Sequence, residues 1–232
     1  MKEDLTATVL LSGGQDSFVC LLWARERYAR VEAVTVAYGQ RHALETFYAT
    51  RVAQRFVIPH RLLDLGGLMR EMAPSALLDD GDLSGAHPLS AELPASFVPN
   101  RNGLLLTLAA NHAYSLGEPR LELVIGACQT DYSGYPDCRD VYLKSKAVEL
   151  SLGLDRPVSI HAPLMWKTKA EIFSMAEAAG ELDALISETL TCYAGDEALH
   201  AWGRGCGACP ACQLRMKGWN AFSETRRLPA NP

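Results

Sequence analysis

The chain has 232 residues, 48% of them hydrophobic and 21% charged, which is enough apolar material for one sizeable core and excludes a disordered chain. Lys and Arg number 22 against 27 Asp and Glu, a formal charge of -5, which argues against a protein that mainly coats nucleic acid. No apolar run approaches the roughly 20 residues that cross a bilayer. The opening MKEDLTATVLLSGG lacks an apolar stretch followed by a small-residue cleavage site, so a cytoplasmic location is expected.

Thr8 to Leu11 is a short apolar run that stops at Ser12-Gly13-Gly14, which predicts a buried strand and a sharp turn. Phe18, Val19, Leu21, Leu22 and Trp23 then suit a helix starting near Asp16. Residues 31–37 alternate and are β-branched, a second strand. Leu44, Phe47, Val52 and Phe56 have helical spacing across 43–56, and residues 61–65, after Pro59, read as a third strand. This βαβαβ order favours an α/β fold, a Rossmann-like parallel sheet with helices on both faces. Residues 74–99 hold four prolines and the run Asp79-Asp80-Gly81-Asp82, so they read as a long surface loop of the kind that forms lids. A helix over 104–116, a strand over 121–127 and a helix over 142–152 follow. Thr168-Lys169-Ala170-Glu171 has capping-box spacing ahead of an apolar helical stretch ending at Gly180. Beyond Thr189 the chain turns rich in Cys, Gly and Trp. Two units are therefore expected: residues 1–188 as a nucleotide-binding domain and 189–232 as a small metal-held element packed on it.

The first chemical signal is Leu11-Ser12-Gly13-Gly14-Gln15-Asp16-Ser17 between the first strand and helix. Adjacent glycines let backbone N–H groups face an anion, and the helix N-terminus adds free donors and partial positive charge. The Ser12 and Ser17 hydroxyls can donate to phosphate oxygens. Asp16 beside phosphates calls for a Mg²⁺ ion between them. The loop lacks the lysine of a Walker sequence. Three polar clusters sit at or close after expected strand ends, where ligands bind in a doubly wound sheet. They are Tyr38-Gly39-Gln40-Arg41-His42, the segment ending Asn100-Arg101-Asn102, and Asp131-Tyr132-Ser133-Gly134-Tyr135-Pro136-Asp137-Cys138-Arg139.

Cys206, Cys209 and Cys212 lie at intervals of three, and Cys192 is the nearest fourth thiol. Four thiolates with no open position describe a structural Zn²⁺ site; an iron–sulfur cluster and disulfides are the rivals. Cys20 and Cys128 fall in apolar stretches and read as core, while Cys138 is open between packing and substrate contact. Arg204, Arg215, Lys217, Arg226 and Arg227 gather late in the chain, as a solvated face or a nucleic-acid patch.

The loop SGGQDS resembles the signature of the PP-loop ATP pyrophosphatases, which also occurs in amidotransferase synthetases, tRNA thiolases and tRNA lysidine synthetases. LSGGQDS, YGQRH, FVPNRN, DYSGYPDCR, PLMWKTK and TCY…CGACPAC, in that order from Leu11 to Arg215, are together similar to the motifs of the 7-cyano-7-deazaguanine synthases. Departures are Asn100 where glycine or alanine is common, Phe18-Val19 in place of a Thr pair, and a longer gap between Cys192 and Cys206. The resemblance implies an adenine nucleotide alpha hydrolase-like fold. It also implies ATP-dependent conversion of 7-carboxy-7-deazaguanine and ammonia to 7-cyano-7-deazaguanine, through an adenylated acid and an amide, in queuosine biosynthesis. A paralogue passing the same acid to another acceptor, or a tRNA-modifying PP-loop enzyme, is the alternative. Residues 11–17 would hold ATP, with Mg²⁺. Asp16, Ser17 and Lys169, the lysine of the PLxxxxK segment, would be catalytic. Tyr38, Gln40, Arg41, His42, Arg101, Asn102, Asp131, Ser133, Tyr135, Asp137 and Arg139 would meet the substrate, with Asp131 or Asp137 reading the base. Cys192, Cys206, Cys209 and Cys212 would hold zinc. A homodimer acting on small molecules, with no membrane and no direct nucleic-acid partner, completes the expectation.

Overall fold

The central strands of the main sheet carry buried β-branched or aliphatic runs whose two faces meet apolar partners, which is what a parallel sheet covered by helices requires. In the computed structural model, residues 2–39, 44–65, 68–72, 75–78, 85–129 and 135–227 are described. The chain runs β1 (Glu3–Leu10), α1 (Gln15–Arg27), β2 (Tyr28–Ala37), α2 (Leu44–Arg55), β3 (His60–Asp64) and α3 (Leu68–Met72). A hairpin of β4 (Ala86–His87) and β5 (Ser90–Pro94) precedes α4 (Arg101–Ser115), β6 (Leu121–Val124), α5 (Asp140–Leu154) and β7 (Val158–His161). Then come α6 (Lys169–Ala178), α7 (Leu182–Ser187), a second hairpin of β8 (Leu199–His200) and β9 (Gly203–Arg204), and α8 (Pro210–Arg227).

The five-stranded sheet has the order β3-β2-β1-β6-β7, with every pairing parallel. Ala7, Val9 and Leu11 pack on one side with Phe18 and Leu21 of α1, Ile172 and Phe173 of α6, Leu185 of α7 and Phe222 of α8. Leu10, Leu121 and Leu123 pack on the other with Leu106, Ala109 and Ala110 of α4 and Leu143 and Leu150 of α5. The chain leaves β1 toward β2 on one side and reaches β6 on the other. The crevice beyond the carboxyl ends of β1 and β6 is thus the topological switch point where such sheets bind ligands.

Two expectations are corrected. The described part of the 74–99 segment, residues 75–78 and 85–99, is not a plain surface loop. Ser75, Leu78, His87, Ala95, Ser96 and Val98 are buried, and β4 and β5 form a hairpin, because Leu78 and Val98 complete an apolar cluster with Val34, Val36 and Met69. The late basic residues do not share one face. Arg215 is 1% exposed, Arg204 donates to the Ser187 and Glu197 carbonyls, and Arg226 pairs with Glu177 at 3.0 Å. β7 escaped the periodicity reading because its four residues, Val158–His161, are half polar. Among the described residues no helix is long and apolar enough to cross a membrane.

Candidate active site

The turn after β1 is forced by contact. Gly13 stands at φ +83°, and a β-carbon there would overlap the Glu45 carbonyl and the Ala49 backbone, so only glycine lets α2 lie across the loop. Gly14 caps α1 without a side chain, which leaves that helix end open to an anion. Ser17 is buried. Its hydroxyl donates to the Gly14 carbonyl at 3.0 Å and accepts from the Ser12 N–H and the Ser12 hydroxyl, each at 3.1 Å. Ser17 therefore staples the loop shut, and Ser12 is the exposed hydroxyl at the cleft. From β6, Gly126 admits the helix start, since a β-carbon there would lie 3.1 Å from Asp16.

Asp16 and Lys169, far apart in the chain, form an ion pair. The Thr168–Glu171 capping box forms and sets Lys169 at the first position of α6, where Nζ lies 2.7 Å from Asp16 Oδ2. Asp16 Oδ1 is buried without a protein partner, an orphaned carboxylate oxygen that fits a cation. Both polar atoms of the Gln15 amide are also buried and unpartnered.

Ser12, Gly14, Gln15, Asp16 and Ser17 line a cleft of about 250 Å³, and Lys169 stands behind Asp16. The same lining brings Tyr38, Arg101 and Asn102 together with Glu45, Thr191 and Tyr193. The Arg101 guanidinium donates to the Tyr38 hydroxyl at 3.3 Å and keeps a buried, unpartnered Nε. Burial pushes the Glu45 carboxyl up to about 7, with Arg101 opposing it. Glu45, Thr191 and Tyr193 were not found from the sequence. A first-turn Glu reads as a complement to the helix dipole, and the Thr-Cys-Tyr run reads through its cysteine.

The remaining expected substrate residues divide. Asp137 is buried but not in the cleft lining, and one of its carboxylate oxygens accepts the Asn102 N–H at 2.8 Å, so it caps α4. Tyr135 lies outside the lining, stacked on Phe97 with ring centroids 6.2 Å apart. Arg139 is exposed at the start of α5, away from the lining. The Cys138 thiol accepts from Asn102 Nδ2 at 3.2 Å, and burial pushes it up to about 11. Gln40, Arg41, His42, Asp131 and Ser133 lie outside the described residues.

The four expected cysteine ligands converge. The sulfurs of Cys192, Cys206, Cys209 and Cys212 all lie within 4.8 Å of one another, with two pairs at 4.0 Å. A tetrahedral zinc with bonds of about 2.3 Å asks for sulfurs about 3.8 Å apart, so the donor set fits. The Ala208 and Cys209 N–H groups point at Cys206 Sγ at 3.4 and 3.3 Å, as thiolate ligands require. The longer gap after Cys192 is taken up by the β8–β9 hairpin, and Trp202 in its turn packs against Cys192 and Cys212.

The fold is a Rossmann-like parallel α/β sheet with a glycine-rich loop at its switch point. A sequence profile described as queuosine biosynthesis protein QueC matches residues 6–223, and the chain belongs to that family. It is 45% identical over 227 residues to the 7-cyano-7-deazaguanine synthase of Lysinibacillus sphaericus, covering 98% of this chain and 99% of the relative. Among solved structures it resembles a 4-thiouridine synthetase in an RNA complex with bound ATP, at 18% identity and a TM-score of 0.49, over 95% of this chain and 51% of that one. It also resembles the U34-tRNA thiolase NcsA of Methanococcus maripaludis, at 16% identity and a TM-score of 0.45, over 97% and 68%.

Proposed function

We propose that this chain is an ATP-dependent 7-cyano-7-deazaguanine synthase. The observation that carries the reading is family membership over nearly the whole chain together with 45% identity to a synthase of that name. The cleft supplies chemistry that suits it. The substrate carboxylate would attack the α-phosphorus of ATP and expel pyrophosphate. Ammonia would then displace AMP to give an amide. A second activation, at the amide oxygen, would let that oxygen leave with AMP and form the nitrile.

In this reading Ser12, Gly13, Gly14 and the first turn of α1 hold the phosphates, with Leu11 and Ser17 fixing the loop and the Gln15 amide offering a further contact. Lys169 stands where negative charge builds on the α-phosphate, and its pairing with Asp16 orients it. Mg²⁺ held at Asp16 Oδ1 would neutralise phosphate charge. Arg101 is the cation for the substrate carboxylate or a phosphate, since its Nε is unpartnered, and Tyr38 holds that guanidinium in place. With one Asp137 oxygen committed to Asn102, Asp131 is the candidate that reads the pyrimidine edge; Gln40, Arg41, His42 and Ser133 complete the expected contacts. Zinc held by the four cysteines would be structural. A cytoplasmic homodimer acting on small molecules belongs to the same proposal.

The test is product identification. Purified protein with 7-carboxy-7-deazaguanine, ammonium, ATP and Mg²⁺ is expected to release AMP and pyrophosphate and to form the nitrile by mass spectrometry. ADP and phosphate as the sole nucleotide products, or an unchanged acid, would refute it.

A further inference from the structure

We infer that Glu45 is the general base that takes a proton from ammonium and so releases the ammonia that attacks the activated carboxyl carbon. The inference rests on the proposed function, because it assigns a role within that reaction. Glu45 sits in the first turn of α2 and lines the cleft. Its backbone lies against Gly13, so the residue stands at the phosphate-loop end, where an acyl-adenylate would form. Among the described lining residues the other carboxylate is Asp16, already neutralised by Lys169, and there is no histidine. No hydrogen-bond donor among the described residues holds the Glu45 carboxylate.

The groups whose charge reaches Glu45 are Arg101 of α4, Tyr38 after β2 and Tyr193 of the C-terminal segment. Burial pushes the carboxyl up to about 7 while Arg101 keeps part of it ionised, so it is a stronger base than a solvated glutamate. The step needs one. Ammonium, the main form of ammonia near neutral pH, has no lone pair. Glu45 accepts one proton from NH₄⁺, and the freed lone pair forms the C–N bond at the carboxyl carbon. The bond from that carbon to the adenylate oxygen breaks, and its electron pair leaves on AMP. The surplus proton on nitrogen passes to solvent, leaving the amide.

The test compares two nucleophiles. Hydroxylamine is a weaker base than ammonia, is already neutral at pH 7, and needs no proton removed before attack. In Glu45→Gln the ratio of amide to hydroxamate is expected to fall about 100-fold or more relative to the wild type. Glu45→Asp, which keeps a carboxylate, is expected to recover part of it. A ratio unmoved in both variants overturns the inference. The wild type gives a second reading without any substitution. At fixed total ammonium its amide rate is expected to level off above about pH 7, where Glu45 is ionised. A rate that keeps climbing about tenfold per pH unit, in step with free ammonia, overturns it too. Acid-dependent ATP–pyrophosphate exchange by the wild type separates the two claims. Its absence defeats the proposed function, whereas exchange with an unmoved ratio defeats only the role of Glu45.

Discussion

Asn100 stands at φ 53° and ψ 27°, in the left-handed region that glycine enters freely and asparagine tolerates better than most residues. That torsion explains why glycine suits this position in the resembled motif. It also turns the side chain outward, where Oδ1 accepts from Tyr142, so Asn100 does not reshape the wall beside Arg101. Glu45 shows the opposite economy, a carboxyl kept where ionisation is costly. Its folded-state value of about 7 lies above the ordinary 4.5, so the folded protein binds more protons than the unfolded chain between those values. Stability from this group is therefore lost as pH rises from about 4.5 to 7. Glu45→Gln is expected to raise the melting temperature by a few degrees at pH 8, on the order of 1–2 kcal/mol, because the side chain is only half-buried. The gain should vanish by pH 4.5, where wild type and variant are both neutral. Thermal scans at the two pH values check it, and an equal difference at both would refute it.

At the scale of elements, α4 depends on a carboxylate from outside it. The Asp137 side chain, set by the short 3-10 turn Pro136–Cys138, accepts the Asn102 N–H, and Asn102 returns Nδ2 to the Asp137 carbonyl at 3.4 Å. This pair ties the helix that carries Arg101 to the segment that ends the DYSGYPDCR motif. Removing the carboxylate leaves a buried N–H without its acceptor and strips a negative charge from a helix N-terminus. Asp137→Ala is expected to cost about 1–3 kcal/mol in urea unfolding, with a small loss of ATP affinity. A large loss of acid recognition at unchanged stability would restore Asp137 as a base reader.

Across the whole molecule, the C-terminal segment is sewn to the phosphate loop. The Leu190 N–H bonds the Gly13 carbonyl at 3.0 Å, and Thr191 Oγ1 accepts the Gln15 N–H at 3.4 Å. Buried Arg215 of α8 donates to Thr191 Oγ1 at 3.1 Å and, through its other nitrogens, to the Trp202 and Leu185 carbonyls at 2.8 Å each. The next residue, Cys192, belongs to the cysteine cluster, so an ion there would anchor the strip of chain that lines the cleft. Loss of that ion would therefore disturb the chemistry as well as the tail. Chelation, or Cys206→Ser, is expected to lower the melting temperature by several degrees and to weaken ATP binding about tenfold. Calorimetry on the treated protein checks both, and a lowered melting temperature with unaltered ATP affinity would show that the tail stands apart.

The residues by themselves determined the parallel α/β class, the loop between β1 and α1, the capping box at Thr168 and the four clustered cysteines. Each is a local matter of side-chain period, turn chemistry or short-range spacing, and such signals survive in one dimension. Only the tertiary structure decided which polar groups reach the cleft. Asp137, Tyr135 and Arg139 share a motif with Asp131, yet Asp137 caps a helix, Tyr135 stacks on Phe97 and Arg139 is exposed. Glu45 carries no sequence mark, and it lines the cleft because Gly13 lets α2 cross the loop. Arg215 reads as one of a basic run, but it is a core residue, since burial depends on what packs from elsewhere in the chain. Orientation and burial are set by contacts between residues far apart in sequence, and no local pattern encodes them.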